Sequence, residues 1–269
     1  MDKTTIIGLI LALSALLGGM VMKGVQLGAL MNPAAIMIII VGTIATIVIG
    51  FPTSEIKNIP NLFKIIFSDK GALSVEGLIP KFSEWAQTAR REGLLALEPE
   101  VDEIEDEFLR NGLSMVVDGQ SSDFIRDLMT EEVEAMEERH KVGASIFSQA
   151  GTYAPTLGVL GAVVGLIAAL ADMSDTEKLG YAISAAFVAT LLGIFTGYVL
   201  WHPFANKLRR KSKKEIEIRE VMIEGILSVL EGQPPKVIEK KLLMYIPAKK
   251  RQKVMEDIQN AEPAAGREG

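Results

Sequence analysis

The chain has 269 residues, of which 49% are hydrophobic and 23% charged, and its mean hydropathy is +0.28. It contains no cysteine, which excludes disulfides, thiolate metal sites and cysteine nucleophiles. The formal net charge of -6 is unevenly placed: residues 52–141 carry 20 acids and 10 bases, whereas residues 205–269 carry 15 bases and 10 acids. This balance predicts a chain divided between membrane and water.

Four stretches are long enough to cross a bilayer and contain no Asp, Glu, Lys or Arg. They are residues 4–22, 33–51, 147–171 and 179–204. Because a helix needs about twenty apolar residues to span the hydrocarbon core, each stretch predicts a transmembrane helix. The first is not followed by a small-residue cleavage site, so we expect it to be retained rather than removed as a signal peptide.

The charges that flank the last stretch predict the orientation in the membrane. Six basic residues follow it, namely Lys207, Arg209, Arg210, Lys211, Lys213 and Lys214. Positive residues near the ends of spans are retained in the cytoplasm. We therefore expect both termini and the acidic segment to be cytoplasmic, with the short connections 22–32 and 172–178 outside. Trp201 and His202 are expected in an interfacial aromatic belt.

The segments outside the membrane read as helices. In residues 78–97, apolar side chains recur every three to four positions, as expected for an amphipathic helix: Leu78, Phe82, Trp85, Ala89 and Ala96. Residues 100–119 and 122–143 continue this pattern. After the basic cluster we expect a helix ending at Gly232, a helical hairpin that begins at Pro234, and disorder over residues 261–269.

These elements predict an all-α, polytopic membrane protein with four transmembrane helices and a helical cytoplasmic domain. Its predicted divisions are residues 1–51 (transmembrane helices 1 and 2), 52–146 (helical cytoplasmic domain), 147–204 (transmembrane helices 3 and 4) and 205–269 (C-terminal cytoplasmic helices and a disordered tail).

Small residues dominate one face of each of the last two spans. Gly161 and Gly165 form a G-x-x-x-G pair, and so do Gly193 and Gly197. Small residues let helix backbones approach closely in lipid, and ordinary helix packing explains the glycines by themselves.

Hydroxyls and prolines on the same spans suggest more than packing. Thr156 and Thr190 accompany the small residues, and Pro155 and Pro203 stand near the expected cytoplasmic ends, where a proline frees a backbone carbonyl and allows bending. These groups are able to shape a narrow polar path. Proton relays normally use intramembrane acids, and the spans have none. If ions move along this surface, the acid must come from another chain.

Four segments carry a resemblance to a known family. They are NPAAI at the start of the second span, RREGLLALE in the acidic segment, GTYAPTLGVLGAVVGLIAAL in the third span and AISAAFVATLLGIFTGYVLWHPFANKL in the fourth. In this order, and over almost the whole length, the chain resembles the MotA family of flagellar stator proteins, part of the MotA/ExbB/TolQ proton channel superfamily.

The resemblance implies partners and a location. In that family, five copies surround two copies of a MotB-type partner, whose transmembrane aspartate takes up and releases the ion. The cytoplasmic helices push on the rotor protein FliG. The implied function is therefore a stator subunit of the flagellar motor that couples proton flow to torque, in the bacterial cytoplasmic membrane.

The resemblance also implies roles for individual residues. Pro155 and Pro203 match the prolines that couple ion flow to movement. Ala162 and Thr190 match positions that line the ion path. Because sodium-driven relatives have a threonine where this sequence has Ala162, and sodium needs oxygen ligands, the resemblance favours protons.

A charged pair in the acidic segment matches the rotor contact of the family. Arg90 and Glu98 take these positions. On one continuous helix, eight residues would place them about 80° apart, so both would face one partner. Two departures concern Arg91, which adds a second base, and Pro99, which we expect to end the helix at Glu98.

Three other functions are weighed against this one. An ExbB/TolQ-like energiser of another envelope process likewise works with a membrane partner protein, but such proteins have fewer spans. A membrane-anchored enzyme is disfavoured, because the sequence has no P-loop, dinucleotide fingerprint, nucleophile elbow or metal-ligand cluster. A self-contained transporter normally has an ionisable group at mid-membrane. We therefore expect no enzymatic activity, no catalytic residues and no cofactor or metal.

Overall fold

A computed structural model describes residues 2–68, 73–171 and 176–261. Within these ranges the regular elements are helices and no strand occurs, which confirms the predicted all-α class. The chain forms two compact units. The first comprises Met1–Lys70 and Glu138–Lys211, and the second comprises Gly71–Glu137 and Ser212–Gly269.

The helices of the first half of the chain are as follows. They are α1 (Lys3–Met22), α2 (Pro33–Ile36, continuing through Met37–Val41 to Gly42–Gly50), α3 (Ile59–Phe67), α4 (Val75–Glu92) and α5 (Glu107–Val117), with short turns of helix at Leu27–Leu30, Thr53–Ile56, Leu94–Leu97 and Glu98–Asp102.

The second half contains the longer helices. They are α6 (Ser122–Leu170), α7 (Thr176–Phe195, continuing through Thr196–Trp201), α8 (His202–Leu230), α9 (Pro235–Leu242, followed by Leu243–Tyr245) and α10 (Ala248–Ala261). Helices α7 and α8 form one uninterrupted helix over Thr176–Leu230.

Among the described residues, four helices are long and apolar enough to cross a membrane. They are Lys3–Met22, Leu27–Gly50, Ser122–Leu170 and Thr176–Leu230. Each covers one of the four predicted spans, although the second and third helices end one residue before the predicted boundary. The predicted helix 122–143 and the third span form a single helix of 49 residues, which was not predicted.

Two of the spans contain a π-helical turn, in which backbone N–H groups donate to the carbonyl five residues back. In α2 this turn is Met37–Val41, and in the fourth span it is Thr196–Trp201. Such turns are rare and each adds one residue to the helical circuit. Nothing in the hydrophobic pattern predicted them.

The second unit folds around a conventional apolar core. Its largest fully buried side chains include Phe82, Leu78 and Ile79 of α4 with Met222 and Ile226 of α8. Three polar pairs surround this core: Arg219 donates to Asp106 at 2.5 Å, Ser83 donates to Glu239 at 2.7 Å, and Lys241 pairs with Glu224.

The end of α4 corrects one prediction. The expected helix 78–97 stops at Glu92 because Gly93 adopts a φ of 90°, a left-handed conformation that favours glycine. A 3₁₀ turn, Leu94–Leu97, follows it. Pro99 does not end a helix at Glu98; it lies in the first turn of Glu98–Asp102, where its missing N–H is harmless.

The expected helix 100–119 is also divided. It breaks after Asp102, and α5 begins at Glu107 because the Asp106 carboxylate accepts from Leu109 N–H at 3.0 Å, an N-cap. The helix that was expected to end at Gly232 does so: α8 stops at Leu230 and Gly232 has a φ of 66°. Residues 172–175 of the expected outer connection and 262–269 of the expected disordered tail lie outside the described residues.

Candidate functional site

The third and fourth spans meet through their backbones. A Cβ placed on Gly193 would lie 2.8 Å from the Ala154 carbonyl oxygen and 2.8 Å from the Gly158 Cα. A Cβ on Gly158 would lie 2.9 Å from the Ala189 carbonyl oxygen. Only glycine fits at either position without moving a main chain. In contrast, nothing lies within 4 Å of a Cβ placed on Gly165.

Pro155 helps to form this helix contact. It lies inside the continuous helix α6 and has no N–H, so it leaves the Gly151 carbonyl without its usual helical donor. That carbonyl faces Gly197 of the fourth span, where a Cβ would lie 2.7 Å from it and 2.7 Å from the Pro155 ring. The freed carbonyl and the proline ring therefore both lie against a glycine.

Pro203 lies in α8, two residues after the π-helical turn Thr196–Trp201, and is exposed. A proline within a helix removes one N–H donor and crowds the carbonyl four residues earlier. A π-helical turn directly before the proline is one way in which a helix accommodates the lost donor and the crowded carbonyl.

The two residues predicted to line an ion path lie on different helices of the first unit. Ala162 is buried with Ala35, Ala186 and Ala189. Thr190 is half-buried, and its hydroxyl donates to the Ala186 carbonyl oxygen at 3.2 Å. The Thr190 oxygen therefore keeps lone pairs for a further donor, whereas Ala162 presents only a methyl group.

The predicted aromatic belt residues are packed against protein. The half-buried Trp201 ring lies 6.1 Å from Phe147, 6.3 Å from Phe204 and 6.5 Å from Phe63, measured between ring centroids. Its indole N–H is buried and has no acceptor within the described ranges. His202 lies against Gly151, where a Cβ would approach its ring to 2.8 Å.

Asp2, which was not among the predicted site residues, lies directly before the first span. The buried Asp2 carboxylate caps α1 by accepting from Thr4 N–H at 3.1 Å, and forms ion pairs with Lys207 and Lys211. Hydrogen bonding from Lys207, together with the Thr4 hydroxyl, holds the pKa of Asp2 well below its usual range. The sequence shows an Asp directly before the first span and bases after the fourth, but not that they pair.

The charged pair Arg90 and Glu98 does not share one helix. Arg90 lies in the last turn of α4, Glu98 begins the short helix Glu98–Asp102, and Gly93 turns the chain between them. The expected angle of about 80° on a common helix is therefore wrong. Arg90, Arg91 and Glu98 are all exposed.

Long apolar helices, glycine-to-glycine contacts and charge-free spans define a polytopic α-helical membrane protein. Two family models match the chain: the MotA/TolQ/ExbB proton channel family over residues 100–221, and the motility protein A N-terminal region over residues 6–93.

Individual relatives give the same result. Motility protein A of Bacillus subtilis is 70% identical over 264 residues, which are 97% of this chain and 98% of that protein. Chemotaxis protein PomA of Vibrio alginolyticus is 32% identical over 251 residues, covering 93% and 98% of the two chains. This chain belongs to the MotA/TolQ/ExbB proton channel family, and within it to the motility protein A group.

Two solved structures share the fold. A chain of the flagellar MotAB stator complex from Bacillus subtilis superposes with a TM-score of 0.90 at 71% identity, covering 94% of this chain and 99% of that one. A chain of C. jejuni MotAB gives 0.88 at 32% identity, covering 92% and 97%.

Proposed function

We propose that this protein is a stator subunit of the flagellar motor, which works with a MotB-type partner to couple proton flow across the membrane to torque on the rotor. The observation that carries this proposal is the likeness, over nearly the full length, to motility protein A and to a chain of a MotAB stator complex. The match of residues 6–93 to the motility protein A N-terminal model favours this function over an ExbB/TolQ-like energiser.

The partner supplies the acid that carries the proton. The need for such a partner is supported by the four predicted spans, because none of them contains a carboxylate. A protonated partner carboxylate is neutral and tolerates an apolar surface, whereas the ionised form does not, so each proton changes the surface that the partner prefers. Moving one charge through 100 mV supplies about 2.3 kcal/mol for this change.

Reconstitution tests this function. The full chain co-expressed with its partner is placed in liposomes with a proton gradient, beside the full chain alone. We expect proton flux from the complex and none from the chain alone. Flux from the chain alone would refute the need for a partner acid.

Pro155 and Pro203 are proposed to couple proton movement to movement of the helices. The contact of Pro155 with Gly197 and the π-helical turn before Pro203 support a geometric role. Pro155→Ala should restore a normal helical N–H, leave membrane insertion and partner binding intact, and abolish swimming. Swimming near the wild-type level would remove Pro155 from the coupling mechanism.

Ala162 and Thr190 are proposed to line the ion path, with the proton as the ion. A methyl group at residue 162 leaves Thr190 as the only hydroxyl of the pair, and sodium requires several oxygen ligands. Swimming speed measured against external sodium, at constant proton motive force, should therefore stay flat. A dependence on sodium would overturn this assignment.

Arg90 and Glu98 are proposed to contact the rotor protein FliG, with Arg91 able to substitute in part for Arg90. Their exposure supports this role, although they lie on separate helices. Exposed pairs contribute only about 0–1 kcal/mol, so single neutralisations should slow swimming mildly and reversal of both charges strongly. A reversed charge should be rescued by the opposite reversal on the rotor. Failure of every such rescue would remove these residues from torque transmission.

The assembly and topology follow the same proposal. Five copies surround two partner chains in the bacterial cytoplasmic membrane, and both termini face the cytoplasm, as the bases after the fourth span support. The divisions at residues 51, 146 and 204 mark where the chain enters and leaves the bilayer.

A further inference from the structure

A cleft in the first unit is lined by Pro203 and by residues to which the proposed torque mechanism gives no role. It has a volume of about 330 Å³ and lies between the start of α1 and the end of the fourth span. The residues that line it from α1 include Thr4, Thr5 and Gly8, and those from the opposite side include Val199, Pro203 and Lys207.

The lining of the cleft is amphipathic along its length. Two threonine hydroxyls and Lys207 lie at the end nearest the basic cluster, and Gly8 with Val199 lie further into the spans. Gly8 is exposed and nothing lies within 4 Å of a Cβ placed on it, so the cleft is open at that point. Polar groups at one end and apolar groups at the other match a molecule with a polar head and an apolar tail.

The charges at the polar end favour an anion. Arg210 and Lys211 lie three and four residues after Lys207 on α8, and the exposed Lys3 begins α1. Among the described residues, Asp2 pairs with Lys207 and Lys211. The exposed side chains of Lys3 and Arg210 add two further positive charges beside the mouth of the cleft.

We propose that this cleft binds one anionic phospholipid. Its acyl chain lies along Gly8 and Val199, and its phosphate lies among the bases near Lys207 and Arg210. Clusters of bases directly beside the end of a membrane helix are typical of anionic lipid recognition. The bound lipid contacts Pro203, so its headgroup would lie beside a residue of the proposed coupling mechanism.

The test measures lipid binding to the full chain, co-expressed with its partner, purified and delipidated. Dioleoyl phosphatidylglycerol and dioleoyl phosphatidylcholine are titrated separately, and bound lipid is counted by native mass spectrometry. We expect phosphatidylglycerol to bind more tightly. Gly8→Leu fills the cleft, and it should weaken phosphatidylglycerol binding about tenfold, the effect of displacing roughly two methylene groups. Gly18→Leu adds the same side chain to the same helix outside the cleft and should leave binding unchanged.

A second pair of variants tests the headgroup without altering the cleft. Arg210→Gln should reduce the preference for phosphatidylglycerol over phosphatidylcholine about fivefold, the effect expected for one base near a lipid surface. Arg209→Gln is the matched control, because the Arg209 guanidinium is bound to Asn206 and Ser148.

Three outcomes would overturn the proposal. The first is equal binding of the two lipids by the wild-type chain. The second is equal binding by the Gly8→Leu and Gly18→Leu variants. The third is a Gly8→Leu complex that loses protein subunits while the remaining protein keeps its lipid, which would assign the cleft to a neighbouring protein chain. None of these measurements depends on proton flux, so the proposed stator function is tested separately.

Discussion

The two units both use glycine to bring helices together, but they place different atoms against it. In the first unit, Gly158 and Gly193 admit backbone atoms of the opposite helix. In the second unit, a Cβ on Gly225 would lie 2.6 Å from the Phe82 ring, and one on Gly112 would lie 2.4 Å from Ile226.

The difference follows from the solvent of each unit. In water, burial of large side chains is favourable, so a glycine serves best as a socket for an aromatic ring or a branched chain. In lipid, apolar side chains gain little by leaving the acyl chains, and helices associate through close packing of small residues instead. One residue type thus serves two packing strategies in one chain.

The largest effect is expected when the second unit loses the ring that fills its socket. Phe82→Ala should destabilise this unit by about 3–5 kcal/mol, because a fully buried ring is replaced by a cavity. Unfolding of the full chain in detergent can be followed by Trp85 fluorescence in a Trp201→Phe background, since these are the two tryptophans of the chain. Phe124→Ala is the control, because Phe124 is 50% exposed and should change stability little. Equal effects of the two variants would contradict the assigned core.

The next prediction separates the two kinds of glycine. Gly225→Ala and Gly193→Ala should each cost about 1–3 kcal/mol through overpacking. Truncation of Phe82 should abolish or reverse the cost at Gly225, because the ring is the atom group that obstructs the added methyl. No side-chain truncation should relieve Gly193, since its neighbours are the Ala154 carbonyl and the Gly158 backbone. Rescue of Gly193→Ala by a truncated neighbour would break the comparison.

A smaller effect is expected at the polar margin of the second unit. Arg219 bonds to Asp106 at 2.5 Å and lies 4.7 Å above the Phe108 ring. Arg219→Gln should cost about 0.5–1.5 kcal/mol, because the partly exposed Asp106 loses a charged donor but still caps α5. The exposed Arg126, changed to Gln, provides the baseline in the same thermal unfolding measurement. A shift no larger than that of the control would mean that the pair contributes nothing.

The smallest effect concerns alkaline pH. Burial, together with Glu224 and Glu220, raises the pKa of Tyr245 above its ordinary value of 10.0. Above that value the unfolded chain loses the phenol proton before the folded chain does, so folded stability should fall as pH rises further. Tyr245→Phe should flatten this part of the stability curve relative to wild type. The free energy of unfolding is measured by chemical denaturation between pH 9 and 11, about one unit on either side of the ordinary tyrosine pKa. If it falls with pH as steeply in Tyr245→Phe as in the wild type, the assignment is contradicted.

The sequence predicted those features that depend on composition over many residues. The four spans and the small-residue faces each depend on many residues of one kind. The end of α8 is the exception, because one glycine with a positive φ, Gly232, marks it in the sequence. The prediction failed where one residue outweighed the pattern. Gly93 ends α4 although the helical pattern of apolar residues continues beyond it, and Asp106 caps the start of a new helix, α5.

The candidate site shows the same limit. The contact of Gly193 with Gly158 agrees with the small-residue faces that the sequence presents. The ion pairs of Asp2 join residues about 200 positions apart, which no local spacing predicts. The two π-helical turns leave hydrophobicity unchanged and depend on backbone geometry alone.

The π-helical turn in the fourth span has a consequence for how related sequences align. Gly197 and His202 are five residues apart, a separation of about 140° in a regular helix, yet both lie against Gly151. The His202 N–H donates to the Gly197 carbonyl five residues back, instead of four as in an α-helix. This wider turn brings Gly197 and His202 to the same side of the helix. The segments before and after this turn are therefore out of phase by one residue. We expect one-residue gaps in alignments of this span to fall within 196–201, and a gap-free relative that lacks the turn should carry the counterpart of His202 on another face.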